Sequence, residues 1–204
     1  MEMRHEPGGH PEPRELAFIE SSARFVHVAY ARPALAARAG FVRFTDEDRT
    51  GAISWANQHW TSTDAEHPSE VWYDAKGRLI GVDYTVLQTD TPDRPRLWEI
   101  DPRRWISIRA HMHYGVWRDR RIAYGAMSTD RFEEYGGTIS LPDRQILVDA
   151  GVAKTKRDVA FLFLLPSIWD LQFWVIPNPY GAFAEYNPRV KPKPQHPQKH
   201  SMGM

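Results

Sequence analysis

Cysteine is missing from all 204 residues of the sequence. Its absence excludes disulfide bonds, thiolate nucleophiles and cysteine-ligated zinc or iron–sulfur sites. An excess of one charge is missing as well, since 26 lysine and arginine residues balance 26 aspartate and glutamate residues. Proteins that bind nucleic acid neutralise its phosphates with concentrated positive charge. We therefore predict that nucleic acid is not a partner.

Long apolar runs are also missing. The longest one ends at Pro166 and is much shorter than the ~20 residues that a membrane-spanning helix needs. Residues 1–15 contain charges, prolines and glycines where a signal peptide has an apolar stretch. The sequence predicts a soluble protein with no membrane partner and no signal peptide in these residues, and it leaves the compartment open.

Proline is concentrated at the two ends of the chain. It recurs within residues 1–13 and again within residues 188–204, and it lacks the N–H group that regular secondary structure uses. We predict a flexible tail over residues 1–13, a single globular domain over residues 14–187, and an extended tail rich in proline, lysine and histidine over residues 188–204. A chain of this length is a normal size for one domain.

Helical patterns gather in the first third of the chain. Apolar residues at helical spacing predict a helix over residues 16–23, and a proline followed by small residues and a glycine predicts a short one over residues 33–39. Thr45 and Asp48 approximate a capping box, in which side chains satisfy the first backbone N–H groups of a helix. They predict a third helix over residues 46–59.

From residue 70 onward apolar and polar residues alternate with a period of two, which predicts β-strands. A turn at residues 74–77 predicts a hairpin, and a short helix is expected over residues 143–148. The predicted strands are residues 71–73, 79–87, 105–117, 122–127, 138–141, 159–165 and 171–176, of which the last two are expected to be central and buried on both faces. The predicted fold class is α+β, with short N-terminal helices packed on a curved antiparallel β-sheet or partial β-barrel.

Two histidines lie on the polar side of the strand predicted over residues 105–117. His111 and His113 point the same way, because alternate residues of a strand lie on the same side. Their side chains begin about 6.5–7 Å apart. Such a pair can hold a divalent transition metal such as zinc, copper or iron if a third ligand is near. Asp83, on the polar side of the strand over residues 79–87, is the candidate third ligand. Without a metal, all three remain candidates for proton transfer.

Asp170 is a second candidate carboxylate. It lies among apolar residues, where a buried charge needs a partner, and Arg109 beside the histidines is the candidate partner. A carboxylate in that setting is either a general base or half of a structural ion pair. The predicted catalytic set is therefore Asp83, Arg109, His111, His113 and Asp170.

Aromatic side chains provide the candidates for ligand contact. Trp55 and His59 would share one face of the helix predicted over residues 46–59, because they are four residues apart. Tyr84 and Trp117 belong to the two strands with polar faces and complete the predicted ligand-binding set. The 8 tryptophans of the chain also need burial, so core packing is the alternative for these rings.

These observations favour a domain that binds a small molecule between the polar faces of residues 79–87 and 105–117. Two versions stay open, a simple binding protein and a metal-dependent enzyme that uses the His-x-His pair. The alternative is a non-catalytic structural or self-assembling protein, in which aromatic surface meets other copies in a homo-oligomer. The phosphate loop, the Gly-x-Ser-x-Gly elbow and the His-Glu-x-x-His helix are not in the sequence.

Overall fold

The computed structural model describes residues 9–193, and these have the predicted α+β architecture. The helices are α1 (Leu16–Ala29), α2 (Pro33–Arg38), α3 (Thr129–Glu134) and α4 (Gln145–Asp149). The strands are β1 (Val42–Arg43), β2 (Ile53–Ala56), β3 (Glu70–Tyr73), β4 (Leu79–Leu87), β5 (Trp105–Ile108), β6 (His111–Arg118), β7 (Arg121–Ser128), β8 (Val159–Leu165) and β9 (Ile168–Trp174).

The strands of this region form two antiparallel sheets. The large sheet has six strands in the order β1-β2-β3-β4-β9-β5, and the small sheet has three in the order β7-β6-β8. Neither sheet closes on itself, so the described fold is a pair of open sheets and not a closed barrel.

Helix α1 covers one side of the large sheet. Its buried residues include Phe18 and Val26, and they pack in one cluster with Val82 and Tyr84 of β4 and Leu171 of β9. Neighbouring residues of a strand point to opposite sides, so this packing assigns the two sides of the sheet. We call the side that α1 covers the helix face and the opposite side the cavity face.

Two hairpins follow the local turn chemistry. Between β3 and β4, Asp74 Oδ1 accepts the backbone N–H of Lys76 at 2.9 Å, and Gly77 adopts a φ of 75°; the predicted hairpin is confirmed. Between β6 and β7, Asp119 and Arg120 both have positive φ values, 48° and 66°. Two consecutive residues with positive φ form a type I′ turn, and the twist of this turn matches the twist of the two strands that it joins.

The helix predicted over residues 46–59 is wrong. Asp48 Oδ1 accepts the backbone N–H of Ala52 at 3.0 Å, and Gly51 has a φ of 86°. This side-chain-to-backbone bonding is the alternative that Asp offers to helix initiation. The chain turns here and continues as β2, which pairs with β3.

The strand predicted over residues 105–117 is broken in two. Its first part, β5, belongs to the large sheet and its second part, β6, to the small one. The change occurs at residues 109–110, where the Ala110 N–H donates to Ser167 Oγ at 3.1 Å. Ser167 lies in the connection from β8 to β9, which also passes from one sheet to the other. Strands that switch sheets make a corner of this kind.

Two further strand predictions need correction. Residues 138–141 form a turn, in which the Leu141 N–H donates to the Thr138 carbonyl at 3.1 Å. Residues 159–165 are a strand as predicted, but β8 is an edge strand of the small sheet and not a central one. Strand β9 is central, between β4 and β5.

Both ends of the described chain are attached to the domain. The Phe183 N–H donates to the Gly9 carbonyl at 2.8 Å, and Val190 is buried against Ile80 and Trp174. The remainder of the two predicted tails, residues 1–8 and 194–204, lies outside the described residues. Among the helices described here, none has the length and apolar character needed to cross a membrane.

Gly81 is the position in β4 where a side chain is expected to harm the fold. It pairs with Trp72 of β3, and a Cβ atom added at Gly81 would overlap the Trp72 indole. We expect Gly81→Ala to lower the free energy of unfolding by about 1–3 kcal/mol, the usual effect of overpacking, as measured by urea denaturation. Adding Trp72→Phe to Gly81→Ala should restore part of the lost free energy of unfolding. Equal stability of Gly81→Ala and the unchanged protein would contradict the packing described.

Candidate functional site

A cavity of about 300 Å³ borders the cavity face of the large sheet. Its other walls come from residues 44–50 and residues 183–185, and it is within the size range of small-molecule sites. Its lining includes Glu70, Trp72, Asp83, Asp170, Gln172 and Trp174.

Three carboxyl groups meet on this side because of strand register. Glu70 of β3 pairs with Asp83 of β4, and Asp83 pairs with Gln172 of β9. Asp170 lies two residues before Gln172 and so points to the same side. All three carboxylate residues are buried, with exposed fractions of 6% for Glu70, 3% for Asp83 and 5% for Asp170.

The carboxyl groups of Glu70 and Asp83 are close neighbours, and each changes the pKa of the other. Burial, together with the charge of Asp170, raises the pKa of Glu70 to about 8. Burial and the neighbouring Glu70 carboxyl also raise the pKa of Asp83 well above its usual value. The pair therefore holds at least one proton at neutral pH. The second oxygen of Asp83, Oδ2, accepts the Trp72 indole N–H at 3.0 Å.

Asp170 is only half satisfied by the protein. Its Oδ2 accepts the Gln172 Nε2–H at 2.6 Å, whereas its buried Oδ1 has no hydrogen-bond partner among residues 9–193. Burial and the charge of Asp83 raise the pKa of Asp170 well above its usual value. An unpaired buried carboxyl oxygen is costly, and the described part of the chain supplies no donor to Asp170 Oδ1 or to Asp83 Oδ1.

The positive side chains of the cavity lining are already engaged with carboxylates. Arg103 Nη2 lies 2.8 Å from Asp101 Oδ2, and Arg104 Nε lies 3.3 Å from Glu15 Oε1. The acidic residues of the lining outnumber these two arginines. They are Asp48, Glu70, Asp83, Asp170 and Glu185.

The two histidines lie on the same side of β6, as predicted, and their Nε2 atoms are 2.9 Å apart. His111 Nδ1 is 2.8 Å from the Arg109 carbonyl oxygen, which can only accept, so this nitrogen carries the hydrogen. In the neutral pair, His113 Nε2 therefore donates to His111 Nε2. Burial and the charge of His111 lower the pKa of His113 to about 3, and its ring packs edge-on against Phe44 with centroids 4.7 Å apart.

The structure does not assemble the predicted metal ligands. Asp83 belongs to the large sheet and the two histidines to the small one. Throughout residues 9–193, no group of three or more His, Asp or Glu side chains has an arrangement that could hold a metal ion. Metal binding by His111 and His113 without Asp83 stays a prediction.

The predicted ion pair between Asp170 and Arg109 is also wrong. Arg109 is exposed in the connection between β5 and β6, while Asp170 is bonded by Gln172. The reason is the corner itself, because the side-chain alternation assumed for residues 105–117 does not continue across it. Of the predicted catalytic set, Asp83 and Asp170 come together, and Arg109, His111 and His113 are not part of the cavity lining.

The four predicted ligand-binding residues occupy unrelated places. Tyr84 is fully buried on the helix face and donates its hydroxyl to the Ala65 carbonyl at 2.7 Å. Trp55 packs on that same core, and His59 is exposed in the loop after β2. Trp117 is 49% exposed near the end of β6. None of the four lines the cavity.

Sequence reasoning missed Glu70, Gln172 and Trp174. A usable signal was present in the hairpin, since the turn at residues 74–77 brings Glu70 opposite Asp83 once the β3–β4 register is followed. No comparable local signal joins Gln172 to Asp83, because β4 and β9 are far apart in sequence.

Comparisons with protein-family models, curated proteins and solved structures found nothing that matches this chain.

Proposed function

We propose that the protein binds a small organic molecule in the cavity on the cavity face of the large sheet. The observation that carries this proposal is Asp170, a buried carboxylate of the cavity lining whose Oδ1 lacks a donor among the described residues. Asp170 belongs to a group of three buried carboxyl groups in this lining, and the group offers acceptor oxygens to a ligand that carries hydrogen-bond donors.

The composition of the lining supports the same proposal. Ligand sites combine mostly apolar and aromatic walls with a few convergent polar groups. Here Trp72, Trp174 and Phe44 contribute aromatic surface, while Asp170 and Gln172 contribute polar groups from one strand. The carboxyl pair of Glu70 and Asp83 is the candidate proton carrier if bound ligand is also transformed, because both residues line the same space and the raised pKa of Glu70 keeps a proton on the pair at neutral pH.

Binding at this place can be tested with a fragment library of neutral, cationic and anionic compounds observed by protein NMR. The indole N–H signals of Trp72 and Trp174 are suitable reporters, because both rings line the cavity. We expect binders to shift these two signals and to leave that of Trp117, on the small sheet, unchanged.

A matched pair of variants on β5 tests the location. Ile106 lines the cavity, whereas Ser107 points to the opposite side of the same strand. Ile106→Trp should fill part of the cavity and weaken fragment binding by about tenfold or more, and Ser107→Trp should leave it unchanged. Hits that bind both variants equally, or a library without any binder at these signals, would refute the proposed site.

A further inference from the structure

The chemistry of the cavity narrows the class of ligand. We propose that the cavity selects a small organic cation with several N–H donors, an amidinium or a primary ammonium, over neutral molecules of the same shape. This inference rests on the proposed function and adds the charge of the ligand to it.

The first support is the shortage of donors. Three buried carboxyl groups lie on adjacent strands, and the hydrogen bonds they accept from other side-chain groups come from the Trp72 indole and the Gln172 amide. Asp83 Oδ1 and Asp170 Oδ1 accept none among the described residues. The charged group of an amidinium or a primary ammonium carries several N–H donors, whereas the charged group of a carboxylate or similar anion carries none.

The second support is the field in the cavity. Each arginine of the lining has its own carboxylate partner, Asp101 for Arg103 and Glu15 for Arg104, and Glu185 is paired with Arg49. Within residues 9–193, the side-chain hydrogen bonds that the carboxyl groups on the cavity face accept come from uncharged groups of Trp72 and Gln172. A buried charge is stabilised when an opposite charge pairs with it, so an entering cation is favoured over its neutral analogue.

The same carboxyl groups make binding compete with protons. The cation pairs with ionised carboxylates, while burial favours their protonated forms. Affinity should therefore rise with pH towards about 8, where Glu70 titrates, by up to about tenfold per pH unit for each proton displaced. The charged and titratable groups that face this space are Asp48, Glu70, Asp83, Asp170 and Glu185 from the acidic side and Arg103 and Arg104 from the basic side.

Benzamidine and benzamide provide a test, because they have nearly the same shape and only benzamidine is a cation in this pH range. Their dissociation constants would be measured by NMR titration of the full chain, with the Trp72 and Trp174 indole signals as readout. We expect benzamidinium to bind at least tenfold more tightly than benzamide at about pH 8, and this preference to shrink at about pH 6.

Variants assign the preference to the carboxyl groups. Asp170→Asn and, separately, Asp83→Asn should reduce it to less than threefold, while Asp93→Asn, at an exposed position outside the cavity lining, should retain it. Equal binding of both compounds, or binding of benzamide alone, would overturn the cation inference and leave the proposed ligand site standing. Binding of neither compound would also overturn it, and the fragment library with Ile106→Trp would then decide the proposed function separately.

Discussion

The contribution of Glu70 to the free energy of unfolding is expected to fall as the pH rises from about 4.5 to about 8, and Glu70→Gln should remove that part of the pH dependence. Burial raises the pKa of Glu70 from 4.5 in a free side chain to about 8 in the folded protein. In this interval the folded state binds a proton that the unfolded state has released, so folding is favoured at the acidic end. At about 1.4 kcal/mol per pKa unit, the full interval corresponds to at most about 5 kcal/mol.

Glutamine suits this test because it keeps the shape of Glu70 and can donate to the neighbouring Asp83 carboxyl group. Urea denaturation between about pH 5 and about pH 9 measures the effect, and Glu133→Gln on the exposed surface of α3 is the matched control. Asp83 and Asp170 act in the same direction, so some pH dependence should remain in Glu70→Gln. A stability that stays constant from neutral pH to about pH 9 in the unchanged protein would show that these carboxyl groups are not buried as described.

His113 is expected to have the opposite dependence on pH. Burial and the charge of His111 lower its pKa from 6.5 to about 3, so the unfolded state binds the proton more readily. The stability that this neutral ring contributes is fully present above pH 6.5 and is lost as the pH falls towards about 3. The full loss corresponds to about 5 kcal/mol.

Replacing His113 with phenylalanine separates titration from packing. The new ring can still pack against Phe44 and Phe163, which both contact the imidazole, but it cannot take up a proton. We expect His113→Phe to lose much less stability than the unchanged protein between about pH 6.5 and about pH 4 in acid titrations followed by circular dichroism. His27→Phe, at an exposed site on α1, should keep the normal acid sensitivity; the same acid response in both variants would contradict this account.

The two effects oppose each other between about pH 4.5 and about pH 6.5. As the pH rises, the contribution of Glu70 to the free energy of unfolding falls and that of His113 increases. Asp83 and Asp170 add to the fall expected from Glu70. Single variants are therefore needed, since the unchanged protein reports only the sum of these contributions.

Local patterns predicted the elements that local bonds determine. The helix that begins at Pro33 and the hairpin around Gly77 are both present, because a fixed φ at one and a positive φ at the other are properties of single residues. The prediction over residues 46–59 failed for a related reason. Asp48 can bond either to a helix terminus or to a turn, and the sequence does not say which bond forms.

The candidate site depended on contacts that local patterns do not contain. Asp83 was selected from the sequence because it lies on the polar side of its strand, and Asp170 because it lies among apolar residues. The structure places both in the cavity lining. Their relation to each other and to Glu70 requires the register of β3, β4 and β9, which long-range packing determines. The histidine pair was found from its spacing alone, whereas its separation from Asp83 follows from the corner at residues 109–110.

The acidic groups on the cavity face also protect the alignment of the central strands. If β9 slipped by one residue against β4, every side chain of β9 would change sides, and Asp170 would enter the apolar layer beneath α1. A carboxyl group there would meet Phe18 and Tyr84 instead of the cavity. A shifted register therefore raises the free energy of the folded chain far more than it would in an all-apolar sheet. The same carboxyl groups that destabilise the native fold near neutral pH thus destabilise the shifted register more.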